Sequence, residues 1–322
     1  MSDRKRTGRG AAIVLFLLSP FVAEFLLGTI AIDQLVAGLV LAPLYGGGAL
    51  LVREVGRRTK GGWRTILLLA FAYAVIEEGV IVQTLFNPRY LGLDLLRDAY
   101  VPWLGIGVWW SLFVLTLHTV WSMAVPIALA EALFPDRARQ PWLGRIGLSV
   151  SAALFVLGAC LTGLITHNQQ KFMASSAQLG GAALVALAAI AAAGRLRGGR
   201  ERVPGRLPRP LVVGLMSFVS SSAFMPARRF ADGWAVVGVY LLLFAAVAVV
   251  VSRWSVRAGW SDRHVLALAG GALMTYAWHA FVQAPVVGGQ GALDHVGDAV
   301  FALLAVGVLL LAVRRAANRP AV

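Results

Sequence analysis

The chain has 322 residues, of which 59% are hydrophobic and only 14% are charged. Soluble domains carry about 25% charged residues, so this composition excludes an ordinary soluble globule and predicts a polytopic membrane protein. The net charge of +14 does not indicate nucleic acid as a partner, because the basic residues cluster in the segments between apolar runs. The single cysteine, Cys160, excludes an intrachain disulfide and a cysteine metal cluster.

Apolar runs of about 20 residues recur along the whole chain, which is the length that a helix needs to cross a bilayer. The first run is too long for the apolar part of a signal peptide and is interpreted as a retained helix. We therefore predict an all-α fold with about ten transmembrane helices in a single membrane domain, residues 1–322. The predicted spans are 11–32, 35–53, 65–86, 104–134, 146–167, 177–194, 210–227, 233–252, 264–284 and 297–313.

The distribution of basic residues predicts the orientation of these spans. If the N-terminus is cytoplasmic, 24 lysines and arginines fall in cytoplasmic segments and five fall outside. Such an asymmetry is typical of correctly assigned topology, so both termini are predicted to be cytoplasmic. The longest cytoplasmic loop, 194–210, is rich in Arg, Gly and Pro. We expect a multi-pass protein of a bacterial inner (plasma) membrane, with the lipid bilayer as its partner.

Two segments depart from simple spans. The fourth predicted span, 104–134, is longer than a bilayer requires, so it is expected to be tilted, kinked or extended into the cytoplasm. The outer segment 87–102 mixes apolar and charged residues. It is typical of either a short amphipathic helix on the membrane surface or an ordinary structured loop.

Few ionisable residues are predicted well inside the spans, and they form the candidate site. They are Glu24, Glu77, Glu78, His118 and His279. The adjacent pair Glu77 and Glu78 is the most unusual feature, because no other charge occurs from Thr65 to Phe86. A carboxylate in hydrocarbon costs several kcal/mol unless it is paired, protonated or hydrated. The predicted spans place all five residues between the midplane and the outer side, so we expect one shared site.

Helical spacing extends this site by several polar residues. His118 and Ser122 are four residues apart and lie on one stripe of the fourth span. Thr275, His279 and Gln283 form a similar stripe on the ninth span. We predict that Glu24, Ser122 and Thr275 contact the substrate and that the other residues of the site carry the chemistry.

The residue types leave three interpretations open. A glutamate can activate water while histidines stabilise the oxyanion. Alternatively, Glu24, Glu77 and Glu78 can carry protons or substrate in a secondary transporter or proton-coupled permease. The third interpretation is a non-enzymatic scaffold, in which the polar cluster only fixes helix packing. The sequence contains no His-Glu-x-x-His zinc helix, no Gly-x-Ser-x-Gly elbow and no Walker loop, so no metal site is predicted and any cofactor is left open.

The pattern of the polar residues resembles the CPBP family, which comprises CAAX prenyl endopeptidase-like and bacteriocin-processing (Abi) intramembrane proteases. The shared features are a Glu-Glu pair, a histidine in the next span, and a later histidine followed four residues on by an amide. The resemblance implies that Glu77 activates water, that Glu78 orients it, and that His118, His279 and Gln283 support the oxyanion. It also implies a peptide or membrane-protein substrate. Val82 and Val114 stand where the family pattern has Arg and Phe.

Overall fold

The structure is a computed structural model that describes residues 2–196, 198, 201–289 and 291–318, with side chains from Gly8 onward. Helices account for nearly all of its regular structure. The α-helices are α1 (Ser2–Pro20), α2 (Leu35–Arg58), α3 (Gly62–Val75), α4 (Val108–Leu117), α5 (Val125–Leu133), α6 (Arg145–Gln170), α7 (Ser176–Arg195), α8 (Pro210–Phe224), α9 (Gly233–Ser255), α10 (Asp262–His279) and α11 (Ala292–Ala317).

Three of these helices continue directly into π-helical segments, in which each hydrogen bond spans five residues instead of four. Helix α1 continues into π1 (Phe21–Phe25), α3 continues into π2 (Ile76–Ile81), and π3 (His118–Ala124) joins α4 to α5. Short 3₁₀ turns cover Ile32–Gln34, Tyr90–Gly92, Pro135–Arg137, Ala227–Arg229 and Ala280–Val282. The single antiparallel hairpin of the described residues pairs β1 (Tyr100–Val101) with β2 (Ile106–Gly107).

The helices have the length and surface of a membrane-spanning bundle. Among the described residues, eight helices are long and apolar enough to cross a bilayer. Their outer faces expose large apolar side chains, such as Ile146 at 82% and Leu242 at 74%. Such faces are costly in water but not in lipid, where the tails are equally apolar. The chain is therefore an all-α polytopic membrane protein.

The remaining two predicted spans correspond to helices that meet these criteria less well. The helix from α3 through π2 carries Arg64, Glu77 and Glu78, and α8 has only 15 residues. Ten spans with cytoplasmic termini therefore stay a prediction.

Two details of the predicted spans are corrected, and one alternative that the sequence left open is decided. The third span ends at Ile81 rather than at 86, and Gln83 then adopts a left-handed backbone conformation, with φ of 62°. The fourth span is not over-long, because its first residues form the β1–β2 hairpin and its helix begins at Val108. The segment 87–102 is a structured loop whose only helical turn in the described residues is Tyr90–Gly92.

The core contains two close helix pairs that depend on glycine. Helix α2 packs along α6, and α8 packs along α10. A Cβ atom on Gly158 would collide with the backbone of Leu44, and one on Gly271 would collide with the carbonyl oxygen of Gly214. Small residues that let two backbones approach are the usual basis of helix association in lipid.

A network of ion pairs lies at one end of the bundle. We call it the arginine-rich end, because it contains Arg53, Arg57 and Arg58 of α2. Arg53 is fully buried and its guanidinium lies 2.7 Å from Glu54 and 3.1 Å from Glu131. Arg57 also pairs with Glu131. Arg53 stacks over the Trp142 ring with its Cζ atom 3.5 Å from the ring centroid. This network ties α2 to α5 and to the segment that leads into α6.

Candidate functional site

Four of the five ionisable residues predicted inside the membrane, all except His279, lie on the three π-helical segments. Glu24 is in π1, Glu77 and Glu78 are in π2, and His118 and Ser122 are in π3. A π-helical turn accommodates more residues per turn than an α-helix, so it shifts side chains out of the register of the helix before it. Such turns occur frequently at functional sites. Here they bring polar side chains from three separate helices toward one point.

At the centre of this arrangement the His118 ring lies between two carboxylates. Its Nδ1 atom is 2.9 Å from Glu77 Oε2, and its Nε2 atom is 2.7 Å from Glu78 Oε1. All three side chains are buried. A neutral imidazole carries one N–H group, so contact with two carboxylates requires either an imidazolium ion or a protonated carboxyl group. The trio therefore shares protons, which suits it to proton transfer.

The two glutamates differ in how firmly they are held. Glu78 accepts a second hydrogen bond from the Thr84 hydroxyl, which in turn accepts one from Trp110 Nε1 at 3.0 Å. Glu77 Oε2 is buried and lies within ion-pair distance of His118, but it has no well-aligned hydrogen bond among the described residues. Glu78 therefore has a fixed second donor, whereas Oε2 of Glu77 has only the contact with His118 among the described residues.

A third carboxylate, Glu24, belongs to the same site. The Tyr45 hydroxyl donates a hydrogen bond to Glu24 Oε1 at 2.5 Å. The Tyr45 ring stacks on His118, with centroids 6.0 Å apart and planes 23° from parallel. Ser122 is on the other side of the histidine, with Oγ 3.0 Å from Nδ1. Tyr45 thus links Glu24 to the trio of Glu77, Glu78 and His118.

These groups line a cavity of about 630 Å³ with a polar floor and mostly apolar walls. The floor contains Glu24, Glu77, Glu78, His118 and Ser122. The walls include Leu27, Leu41, Val114, Leu117 and Ile165. The loop that follows π2 contributes its apolar residues Leu91, Leu93 and Leu95. Such a cavity is large enough for a substrate of moderate size and suits a ligand with an apolar part next to a polar or reactive group.

The predicted site residues divide into two groups. Glu24, Glu77, Glu78, His118, Ser122 and Gln283 line the cavity. Thr275 and His279 do not line it, so the expected convergence of these two residues is corrected. Thr275 is fully buried against α8, with its hydroxyl 2.6 Å from Ser221 Oγ. His279 is buried with its ring edge-on to Trp278.

The two groups differ because α10 ends before Gln283, which the prediction did not anticipate. The predicted stripe assumed one continuous helix through Gln283. Instead, α10 ends at His279, the 3₁₀ turn Ala280–Val282 follows, and Gln283 has an extended backbone. A 3₁₀ turn advances by three residues per turn rather than 3.6, so the i and i+4 side chains no longer share a face. Gln283 therefore lines the cavity and His279 does not, although the two side chains still contact each other.

Sequence reasoning missed several residues of the site, namely Tyr45, Thr84, Trp110 and Tyr276. One signal was present for Tyr45, because Pro43 and three glycines from Gly46 to Gly48 flank it and mark a place where helices approach closely. Thr84 and Trp110 carried no such signal. No group of three or more His, Cys, Asp and Glu side chains in the described part of the chain is arranged to hold a metal ion.

The family model of an uncharacterized membrane protein family matches residues 13–318. The chain belongs to this family. The match covers all the residues of the cavity, so the cavity lies within the part that defines the family. No curated protein and no solved structure matches the chain.

Proposed function

We propose that this protein is a membrane-embedded hydrolase that cuts a peptide bond near or within the bilayer, with Glu77 as the base that activates water. The observation that carries the proposal is the His118 ring held between Glu77 and Glu78 in a cavity with apolar walls. The arrangement is similar to the Glu-Glu and histidine motifs of the CPBP proteases. It departs from them at His279, which lies outside the cavity.

The geometry supports the following reaction. A water molecule gives a proton to Glu77 as its oxygen attacks the carbonyl carbon of the peptide bond. The imidazolium form of His118 and the amide of Gln283 stabilise the oxyanion that forms. The C–N bond then breaks, and the proton on Glu77 passes to the leaving amine. Glu78 holds His118 in place, because Thr84 fixes its second oxygen.

Gln283 is available as a donor because its contact is weak. Its Nε2 atom lies 3.5 Å from Thr29 Oγ1, which is at the outer limit of a hydrogen bond. The residue lines the cavity and follows the 3₁₀ turn, and its only other side-chain contact among the described residues is with His279, so its amide can reach a bound carbonyl.

The test uses purified protein in lipid vesicles with synthetic peptides that each carry an apolar transmembrane segment. Cleavage in H₂¹⁸O adds one ¹⁸O atom to the new carboxylate, which mass spectrometry detects. We expect wild-type protein to cut, and Glu77→Gln and His118→Ala to lower the rate by about 10²–10⁴-fold, the usual contribution of acid–base groups. Thr119→Val is the matched control, since Thr119 bonds only to the Leu115 carbonyl in its own helix. Undiminished cleavage by folded Glu77→Gln and His118→Ala would refute the mechanism.

A second candidate function is proton-coupled transport, and Glu24 is the observation that favours it. A hydrolase of the proposed kind needs two carboxylates, whereas Glu24 adds a third and reaches His118 through Tyr45. A transporter predicts that vesicles with a pH-sensitive dye inside acidify when a substrate gradient is applied, and that Glu24→Gln abolishes this flux. A hydrolase predicts peptide cleavage without proton flux. A scaffold predicts neither, and the same substitutions then change only stability.

A further inference from the structure

A second cavity, of about 740 Å³, lies at the arginine-rich end of the bundle and takes no part in the proposed reaction. It is enclosed by the start of α3, the end of α5, the turn between α9 and α10, and the end of α11. Its base is apolar and contains Ala128, Ala132, Val265 and Ala316. Trp63 and Trp260 stand at its sides. Tryptophans at the ends of membrane helices are typical of the level of the lipid headgroups.

Both tryptophans are held in position by neighbouring side chains. The Trp260 ring stacks on the buried His264 ring, with centroids 5.0 Å apart. Arg57 lies over the Trp63 ring at 5.6 Å and also pairs with Glu131. The walls of the cavity are therefore built from the same contacts that hold the helix ends together, and the cavity is preformed.

The rim of this cavity carries two arginines that have no carboxylate partner among the described residues. Arg202 donates to the backbone carbonyl groups of Ser255 and Arg257, and Arg263 donates to those of Ala316 and Ala317. Neither arginine forms an ion pair with a carboxylate in the described part of the chain. Carbonyl groups fix the direction of a guanidinium without cancelling its charge. Further N–H groups of each arginine stay available, since a guanidinium has five.

The acidic residues of the cavity do not offset these charges. Asp262 is paired with Arg139 at 3.0 Å, and Glu131 is shared between Arg53 and Arg57. A ligand in this cavity therefore meets two uncompensated guanidinium groups above an apolar base. Guanidinium groups bind phosphate oxygens with two parallel hydrogen bonds.

We propose that this cavity binds the phosphate headgroup of an anionic phospholipid, with Arg202 and Arg263 as its principal ligands. The chemistry it recognises is a phosphate group attached to an apolar chain. A soluble phosphate uses the arginines but leaves the alanine and valine base and the tryptophans without a partner. Basic pockets between the cytoplasmic ends of membrane helices are an established mode of lipid-headgroup binding.

The test is native mass spectrometry of detergent-solubilised protein titrated with phosphatidylglycerol or with phosphatidylcholine. We expect the anionic lipid to remain bound at much lower added concentration than the zwitterionic one. Arg202→Gln and Arg263→Gln are expected to weaken its binding by about fivefold each, and the double variant by about 25-fold. The control is the double variant Arg145→Gln/Arg206→Gln, which removes the same charge from exposed positions outside the cavity. An equal loss in the control overturns the proposal.

Two further experiments complete the test: one distinguishes a lipid from a soluble phosphate, and the other applies if the arginine variants do not fold. Glycerol 3-phosphate and inorganic phosphate are added as competitors, and displacement of the lipid by either at equal concentration identifies a site for soluble phosphates and overturns the lipid assignment. If the arginine variants do not fold, quenching of tryptophan fluorescence by brominated phosphatidylglycerol is measured in wild-type protein and in Trp260→Phe. We expect the anionic lipid to quench more than its brominated phosphatidylcholine counterpart, and Trp260→Phe to remove part of the difference. Equal quenching by both lipids refutes the site.

Discussion

Two pairs of buried glutamates in this protein have opposite surroundings. Glu54 and Glu131 lie at the arginine-rich end, where Glu54 contacts Arg53, Arg58 and two backbone N–H groups, and Glu131 contacts Arg53 and Arg57. Glu77 and Glu78 share one histidine and face a cavity. The first pair is saturated with donors and the second is not. Buried charges that serve only packing are normally compensated in full, and this contrast is what supports the role that we propose for Glu77.

The backbone also differs between the two pairs of glutamates. Glu54 and Glu131 are within regular α-helix, in α2 and α5. Glu77, Glu78 and His118 are on π-helical turns, which are less stable than α-helix and persist where the surrounding structure or function requires them. The arginine-rich cluster is thus built on regular α-helix, whereas the Glu/His cluster is built on π-helical turns whose side chains line one cavity.

The largest effect is expected from a substitution that breaks the ion-pair network of Glu54 and Glu131. Arg53→Met removes the counter-ion that two buried glutamates share, and we expect it to lower the free energy of unfolding by about 3–5 kcal/mol. Unfolding by denaturing detergent, followed by circular dichroism, measures this change. Arg58→Met is the matched control, since the side chain of Arg58 is 36% exposed and such pairs contribute about 1 kcal/mol or less. Similar losses in the two variants would show that the network is not the basis of stability at this end.

The next largest effect is expected from removing the central residue of the Glu/His cluster. His118→Gln removes the link between Glu77 and Glu78, but these carboxylates face a cavity and can bind water instead. We expect a cost of about 1–2 kcal/mol, below that of Arg53→Met, together with loss of cleavage. The same unfolding measurement, made beside the cleavage assay, gives both values. If His118→Gln destabilises the protein as much as Arg53→Met, the Glu/His cluster is structural and the scaffold interpretation gains support.

Much of this comparison was predictable from the sequence, because a segment that crosses lipid must be long and apolar and any acid within it is conspicuous. Long apolar runs predicted the helices, and acids within them predicted Glu24, Glu77 and Glu78 as a site, since such residues are rare in hydrocarbon. His118 was predicted for the same reason. The structure places these four residues around one cavity, and their shared depth in the membrane stays a prediction. Their catalytic roles stay a prediction.

The rest depended on local backbone choices that side-chain periodicity does not record. Nothing in residues 76–81 or 118–124 distinguishes a π-helical turn from an α-helical one. Helical spacing predicted that His279 and Gln283 share one face, but after the 3₁₀ turn only Gln283 lines the cavity. Tyr45 and Trp110 are ordinary residues in membrane helices and Thr84 lies in the loop after π2, so only three-dimensional placement marks them.

A smaller effect tests whether Glu78 is the held partner and Glu77 the reactive one. Thr84→Val removes the hydroxyl that donates to Glu78 and leaves Trp110 Nε1 without its acceptor. We expect a loss of about 1–2 kcal/mol in the free energy of unfolding, the usual cost of a removed buried hydrogen-bond partner. Thr84→Ser keeps the hydroxyl and is expected to restore both stability and cleavage. If Thr84→Val matches wild type in both measurements, Glu78 is not fixed by Thr84.

The smallest effect concerns an acid outside the spans, Asp98, which is compensated like the glutamates of the arginine-rich end. Burial raises the pKa of Asp98, but the Gly233 N–H group and the Arg228 guanidinium outweigh burial and hold it below its ordinary value of 3.8. Because the folded state then binds its proton less readily than the unfolded state, this stabilisation is complete above pH 3.8 and is lost as the pH falls through the lowered pKa.

Asp98→Asn is therefore expected to cost about 1 kcal/mol or less at neutral pH and to flatten the acid limb of the stability curve below about pH 4. Thermal unfolding across this pH range measures the change, with the exposed neighbour Asp94→Asn as the control. The Asp98–Arg228 pair, at 2.6 Å, joins the loop that covers the cavity to the turn before α9. A change in cleavage without a change in the acid limb would mean that the pair positions this loop over the cavity and contributes little to folding.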